Sequence, residues 1–232
     1  MKKHTAIIAC ALLALSSLNA ATIAWWDFTG LPYGGDFPTG DPRRYEHGPD
    51  GFKPVNLAKG VTTTGLHRGS PTTNNKGNPR KAGGWGGVDF SNINEAAALI
   101  DGRYFYFTLV ADVGTLSLTS IAGTLHTSAT GPHSAQWEYA INGSLTYTKI
   151  GGVINLTTHA SDVPFDFGLS NENWANAKSV TFRIVAWGGD HLTGTLYLDS
   201  LAVHGEVIPE PSTTLLLGVG AVFIAFSRRR RK

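Results

Sequence analysis

The stretch RYFYFTLVAD, residues 103–112, decides how this chain folds. Phe105, Phe107, Leu109 and Ala111 alternate with Tyr104, Tyr106, Thr108 and Val110. Successive side chains of a strand point to opposite faces, so the segment reads as a strand with one apolar and one amphipathic face. The same alternation sets Val180, Phe182, Ile184 and Ala186 against Thr181, Arg183, Val185 and Trp187. It returns near the end, where Leu196 and Leu198 oppose Thr195, Tyr197 and Asp199. The apolar phase changes after Ser200, which predicts a bulge or turn there.

Further strands are expected at 22–28, 86–90, 115–126 and 153–158. Residues 135–150 spell a hairpin: an alternating run leads into Asn142-Gly143, the pair favoured in a type I′ turn because both central residues take positive φ. Gly-Thr-Leu recurs at 114, 123 and 194 and reads as three similar strand starts. Helical periodicity is poor, and the 28 glycines and 11 prolines are spread along the chain. Short alternating segments between turn residues define the class: an all-β antiparallel sandwich. Residues 29–82 are rich in Gly, Pro, Asn, Thr and Arg. A structureless loop that long is unusual in a compact domain, so short strands are expected around 54–57 and 61–65.

The two ends differ from the middle. Lys2 and Lys3, an apolar stretch over 6–18 and then Asn19, Ala20 and Ala21 are read as a secretory signal peptide over 1–20. The only cysteine, Cys10, is expected to leave with it, so residues 21–207 are expected to fold as an ectodomain without disulfides or a thiolate metal site. From Thr213 to Phe226 no charge occurs, and Ser227 leads into Arg228, Arg229, Arg230, Arg231 and Lys232. A run this short can still insert, and a terminal cation block stays cytoplasmic. That predicts a single transmembrane helix over 213–227 with a basic tail over 228–232. The net charge of +2 belongs to the ends: without the seven terminal cations, 12 basic residues face 17 acidic ones, a balance of −5. Nucleic acid requires a basic face, so it is excluded as a partner.

Pro209-Glu210-Pro211-Ser212, an apolar span and an arginine block, in that order over 208–232, closely resemble the PEP-CTERM sorting domain. The resemblance implies export through the Sec translocon and transient anchoring in the inner membrane of a Gram-negative-type bacterium. It further implies processing by an exosortase near the Pro-Glu-Pro motif, then delivery to the cell surface or exopolysaccharide matrix. The chain would be the substrate of that reaction, and its motif residues are not catalytic. Upstream, Tyr197, Asp199 and Leu201 are similar to the closing strand of jelly-roll carbohydrate-binding modules.

Enzyme signals are missing. There is no H-E-x-x-H zinc motif and no G-x-S-x-G elbow, and Gly83–Gly87 lacks the lysine and helix of a phosphate loop. The chain is read as no enzyme. The alternative is a secreted glycoside hydrolase-like protein, whose two carboxyls would come from Glu95, Asp101, Glu138 and Asp199. The leading expectation is a structural or adhesive protein that binds extracellular polysaccharide through an aromatic sheet face. Its candidates are Tyr104, Tyr106, Arg183, Trp187 and Tyr197, all opposite the apolar phase of their strands, where rings can stack on sugars. The remaining tryptophans, Trp25, Trp26, Trp85, Trp137 and Trp174, are assigned to the core or to loop anchors. No cofactor is required. The resemblance to jelly-roll modules also implies a structural calcium ion as an option, with Asp27 and Asp199 on the matching first and last strands as its hard ligands.

Overall fold

The computed structural model describes residues 21–28, 51–69, 85–157 and 162–210. The predicted leader 1–20, Pro211, Ser212, the apolar segment 213–227 and Arg228–Arg231 lie outside them. Among the described residues no helix is long and apolar enough to cross a membrane.

In chain order the strands are β1 (Ala21–Asp27), β2 (Asn56–Leu57), β3 (Val61–Thr63), β4 (His67–Arg68) and β5 (Trp85–Val88). A short helix, α1 (Glu95–Ile100), precedes β6 (Tyr104–Ala111), β7 (Thr115–Thr127), β8 (Ser134–Ile141) and β9 (Thr148–Asn155). β10 (Val163–Gly168), β11 (Ser179–Trp187) and β12 (Thr195–Ile208) complete the set. All pairings among these strands are antiparallel.

Two sheets result. The first runs β10-β7-β12-β1-β2, with β5 also on β12, and the second runs β3-β6-β11-β8-β9, with β4 also on β6. The long strands β7 and β12 pair from Leu196 opposite Thr127 to Ile208 opposite Thr115, and form the spine of the first sheet. The apolar faces meet between the sheets, as the alternation of residues 103–112 requires. Trp26 of β1 lies 4.7 Å from Phe107 of β6, ring centre to ring centre. Trp85 of β5 meets Phe105 edge-on at 4.9 Å, and Trp137 of β8 meets Phe165 of β10 at 5.6 Å. Each such ring brings a large apolar area out of water and adds an oriented aromatic contact. Trp26, Trp85, Trp137 and Trp174 are buried as expected, whereas Trp25 is 40% exposed, because alternation along β1 turns it away from the core.

The bulge falls one residue earlier than the sequence suggested, between Leu198 and Ser200. Leu196 and Leu198 are core residues, and so are Leu201 and Val203, so Asp199 is the extra residue and stands outside. The hairpin differs more. Asn142 and Gly143 do take positive φ, 52° and 73°, yet β8 stops at Ile141 and β9 begins only at Thr148. The Asn142 Oδ1 accepts from the Lys178 and Ser179 amides at 2.8 and 3.1 Å, and its Nδ2 donates to Asn176 O. Asn142 is thereby tied to the approach of β11, and the connection widens into a loop that carries Tyr147. The Gly-Thr-Leu at 123 does not start a strand. Gly123 lies inside β7, where a Cβ would stand 2.3 Å from Ser200 O, so the close approach of β12 excludes any side chain.

Strands β4 and β10 and helix α1 were not anticipated. The Asn94 side chain caps α1 by accepting from the Ala97 amide at 2.9 Å. The helix lies against β11 with Ala98 fully buried. That cover is why Val185, on the outward side of β11, is nonetheless inaccessible. Arg68 is enclosed as well, donating to Gly86 O and lying 4.7 Å over the Trp85 ring. Burial draws its pKa down to about 9, so it stays a cation at neutral pH.

Candidate functional site

Register builds a polar and aromatic row across the outer face of the second sheet. His67 on β4 stands opposite Tyr106 on β6, Tyr106 opposite Arg183 on β11, Arg183 opposite Glu138 on β8, and Glu138 opposite Lys149 on β9. Five strands thus place one residue each in a line, and directly opposed side chains are close enough to interact. The His67 ring stacks on Tyr106 at 5.2 Å and 21°, and Tyr104 meets Tyr106 nearly edge-on at 5.9 Å.

Arg183 is the hub of the row. Its Nε donates to Glu138 Oε2 at 2.6 Å, with the two side chains only 17% and 5% exposed. Its guanidinium lies 3.5 Å from the centre of the Tyr147 ring and 5.7 Å from that of Tyr104. A planar cation between two ring faces fixes both rings, and one buried carboxylate fixes the cation. Lys149 reaches Glu95 on α1, which closes the far end of the row. Burial, and to a smaller extent the neighbouring phenols, push the Tyr106 hydroxyl above its ordinary pKa. Burial also raises that of Tyr147, with Arg183 opposing the shift. Both are neutral phenols at physiological pH, able to donate and accept at the hydroxyl and to stack through the ring. In the adjacent row Thr108 and Thr181 join through their hydroxyls at 2.8 Å.

Of the five residues proposed from sequence, the structure brings Tyr104, Tyr106 and Arg183 together. Trp187 is half-buried at the far end of β11 on the same sheet, beyond the helix-covered Val185. Tyr197 belongs to β12 in the first sheet and is 3% exposed. Alternation along one strand reports which side is outward, and says nothing of which sheet the strand joins. His67, Glu138 as a partner of Arg183, and Tyr147 were missed. Only cross-strand register reveals the first two, and Tyr147 sits on a connection the sequence presented as a tight turn. Of the acids considered for an enzyme, Glu138 is held by Arg183, Glu95 by Lys149, and Asp101 accepts from Asn92 Nδ2 at 2.7 Å. Asp27 pairs across from Ser200, and Asp199 groups with His126 and Asp162.

β12 runs to Ile208, so Pro209 follows the last ladder residue directly. Glu210 Oε1 accepts from Lys178 Nζ at 3.2 Å, a pair with both side chains well exposed. The last residue of the β12 ladder is thus followed at once by Pro209 and Glu210.

Residues 207–231 match the PEP-CTERM protein-sorting motif. The chain is thus a β-sandwich joined to a sorting signal, which implies export and exosortase-dependent sorting to the cell surface. No curated protein matches the chain. Among solved structures it is similar to a family 29 carbohydrate-binding module, with 8% identity, 78% of this chain and 88% of that one covered, and a TM-score of 0.36. Xylanase10C from Cellvibrio japonicus in complex with xylopentaose gives 13% identity, 65% and 28% coverage and a TM-score of 0.42. TmCBM61 in complex with β-1,4-galactotriose gives 9%, 64% and 83%, and 0.33. Identities this low carry no residue-to-residue correspondence.

Proposed function

We propose that the chain is an exported adhesive protein whose sandwich binds extracellular polysaccharide through the outer face of the second sheet. In this reading residues 1–20 are the leader and 21–207 the ectodomain. Residues 208–232 are the sorting signal, with a transient anchor at 213–227 and Arg228–Arg231 on the cytoplasmic side. Exosortase processing near Pro209–Ser212 delivers the ectodomain to the surface or matrix.

The observation that carries the binding reading is the ring cluster of Tyr104, Tyr106 and Tyr147 set around the paired Arg183 cation. Sugar rings present C–H faces that stack on aromatic rings and hydroxyls that need a few fixed polar partners, the combination found in small-ligand sites. Here the rings are held before any ligand arrives, which limits the side-chain ordering that binding would otherwise cost. The same residues are poor candidates for catalysis, because Glu138 already answers a cation.

Affinity electrophoresis of the full chain through gels containing a panel of bacterial exopolysaccharides and plant β-glucans tests the proposal. The wild-type chain should be retarded by at least one polymer, and Tyr106→Ala should weaken that retention about tenfold, the loss of roughly one stacked contact of about 1.4 kcal/mol. Equal retention by a folded Tyr106→Ala variant removes this face from consideration. Release of sugar products from the retaining polymer would replace the binder with the enzyme.

A further inference from the structure

The first sheet carries a second group of functional side chains, apart from the aromatic row. His126 lies on the outward side of β7, between the core-facing Leu125 and Thr127. β10 pairs with Val163 opposite Leu125, so Asp162, one residue earlier, arrives beside His126. Its Oδ1 is 3.1 Å from His126 Nδ1. On the other flank of β7 the bulge in β12 turns Asp199 outward, next to Tyr197, which stands opposite His126. One ligand atom from each of His126, Asp162 and Asp199 falls within 4.8 Å of the others.

A cavity of about 310 Å³ adjoins the group. Its wall includes His126 and Tyr197 together with Ser128, Thr130, Thr193 and Thr195. Thr195 is only 2% exposed, and its Oγ1 finds no hydrogen-bond partner among the described residues. A buried hydroxyl without a partner costs about 1–3 kcal/mol, so the layer directly behind this wall carries an unmet hydrogen-bonding demand.

We infer that His126, Asp162 and Asp199 bind one divalent first-row transition ion of the zinc type, with a coordination position open toward this cavity. The donor set selects the ion. Calcium and magnesium take all-oxygen ligands, whereas an imidazole with two carboxylates suits zinc and its neighbours. Two carboxylates neutralise the ion's charge. Three protein ligands leave a fourth tetrahedral position for water or a ligand oxygen. Donors around one zinc ion lie about 3.4 Å apart, given bonds of about 2.1 Å, so binding requires these side chains to draw together from their present spacing of up to 4.8 Å. His126 belongs to both the donor group and the cavity wall, and a ligand hydroxyl in the cavity could complete the sphere. This set shares Asp199 with the calcium pair suggested by the sequence, but differs in partner and in metal.

Titration calorimetry of the EDTA-stripped full chain in detergent, with Zn²⁺ and separately with Ca²⁺, tests the inference. Cobalt substitution followed by visible absorption reports the four-coordinate geometry of the site. One equivalent of Zn²⁺ should bind, millimolar Ca²⁺ should not compete, and bound Zn²⁺ should raise the melting temperature. His126→Ala should weaken Zn²⁺ at least thirtyfold and abolish the cobalt spectrum. Asp162 has a side chain 61% exposed, so Asp162→Asn leaves the core intact and should weaken Zn²⁺ about tenfold even if His126→Ala fails to fold. No saturable Zn²⁺ binding, preference for Ca²⁺, or unchanged affinity in Asp162→Asn overturns the site.

Discussion

The two faces of the second sheet are made from the same strands and obey different rules. On the inner face Phe105, Phe107 and Leu109 of β6 meet Phe182 and Ile184 of β11 in a core where every one of these side chains is at most 1% exposed. On the outer face Tyr106, Arg183 and Glu138 meet in a row whose order depends on direct side-chain partners. The inner face is non-directional: any apolar residue of suitable volume serves, and its energy scales with area removed from water. The outer face is directional, because Arg183 needs the Glu138 carboxylate at one end and the flanking rings above it. Under the proposed function, stability rests mainly on one face and recognition on the other, and substitutions can separate them.

The largest effect belongs to the inner face. Phe107 touches Trp26 at 4.7 Å and Phe182 at 5.2 Å, so Phe107→Ala opens a cavity between the sheets. Denaturant unfolding should show a loss of about 3–5 kcal/mol. A loss below about 1 kcal/mol would mean that the sheets do not share this core. Second comes the buried ion pair. Glu138→Gln keeps the shape and removes the charge that balances Arg183, and the expected loss is about 2 kcal/mol, reduced from that of a fully enclosed pair because Arg183 keeps some solvent. A neutral result would place the outer row with ordinary surface pairs.

Much of the inner face was legible because alternation needs only local sequence. Residues 103–112 named their own core side, and Val180–Ala186 did the same. Even the phase change near Ser200 announced the bulge that turns Asp199 outward, because an inserted residue leaves its mark in the apolar pattern. The outer face was half legible. Tyr104, Tyr106 and Arg183 could be picked as outward, but of the partners that define the row Glu138 lies 45 residues from Arg183 and His67 sits on a separate short strand. Tyr197 shows the limit from the other side, since it obeys the same alternation and sits in the other sheet. The loop bearing Tyr147 was hidden because an Asn-Gly pair can hold positive φ without making a two-residue hairpin, once Asn142 has partners on the 176–179 segment.

Third is a pH effect at the border of the two faces. The Tyr139 hydroxyl donates to Glu172 Oε2 at 2.5 Å, and burial first, then this carboxylate, pushes its pKa up to about 12. An unfolded tyrosine releases its proton near 10. Between those values the unfolded chain binds fewer protons than the folded one, so the contribution is complete below pH 10 and is lost as pH rises toward 12. Tyr139→Phe should cost about 1 kcal/mol at pH 7 for the lost hydrogen bond and should flatten the decline between pH 10 and 12. An identical alkaline profile in wild type and variant would show that Tyr139 does not carry it.

The smallest effect on stability should be the most informative about function. Tyr147 lies outside the core on a loop, and its main contact is the guanidinium of Arg183 at 3.5 Å. A partly exposed cation–π contact contributes about 0.5–1 kcal/mol, so Tyr147→Ala should lower the unfolding free energy by no more than that. If the outer face is a polysaccharide platform, the same substitution removes one of the stacking rings and should weaken gel retention about tenfold, with the melting curve almost unchanged. Tyr147→Phe keeps ring and contact but removes the hydroxyl, so it separates stacking from hydrogen bonding: full retention assigns the ring, partial loss the hydroxyl. Were both variants to bind as the wild type does, Tyr147 would be only a lid on a structural ion pair. The two faces would then differ in chemistry without differing in purpose.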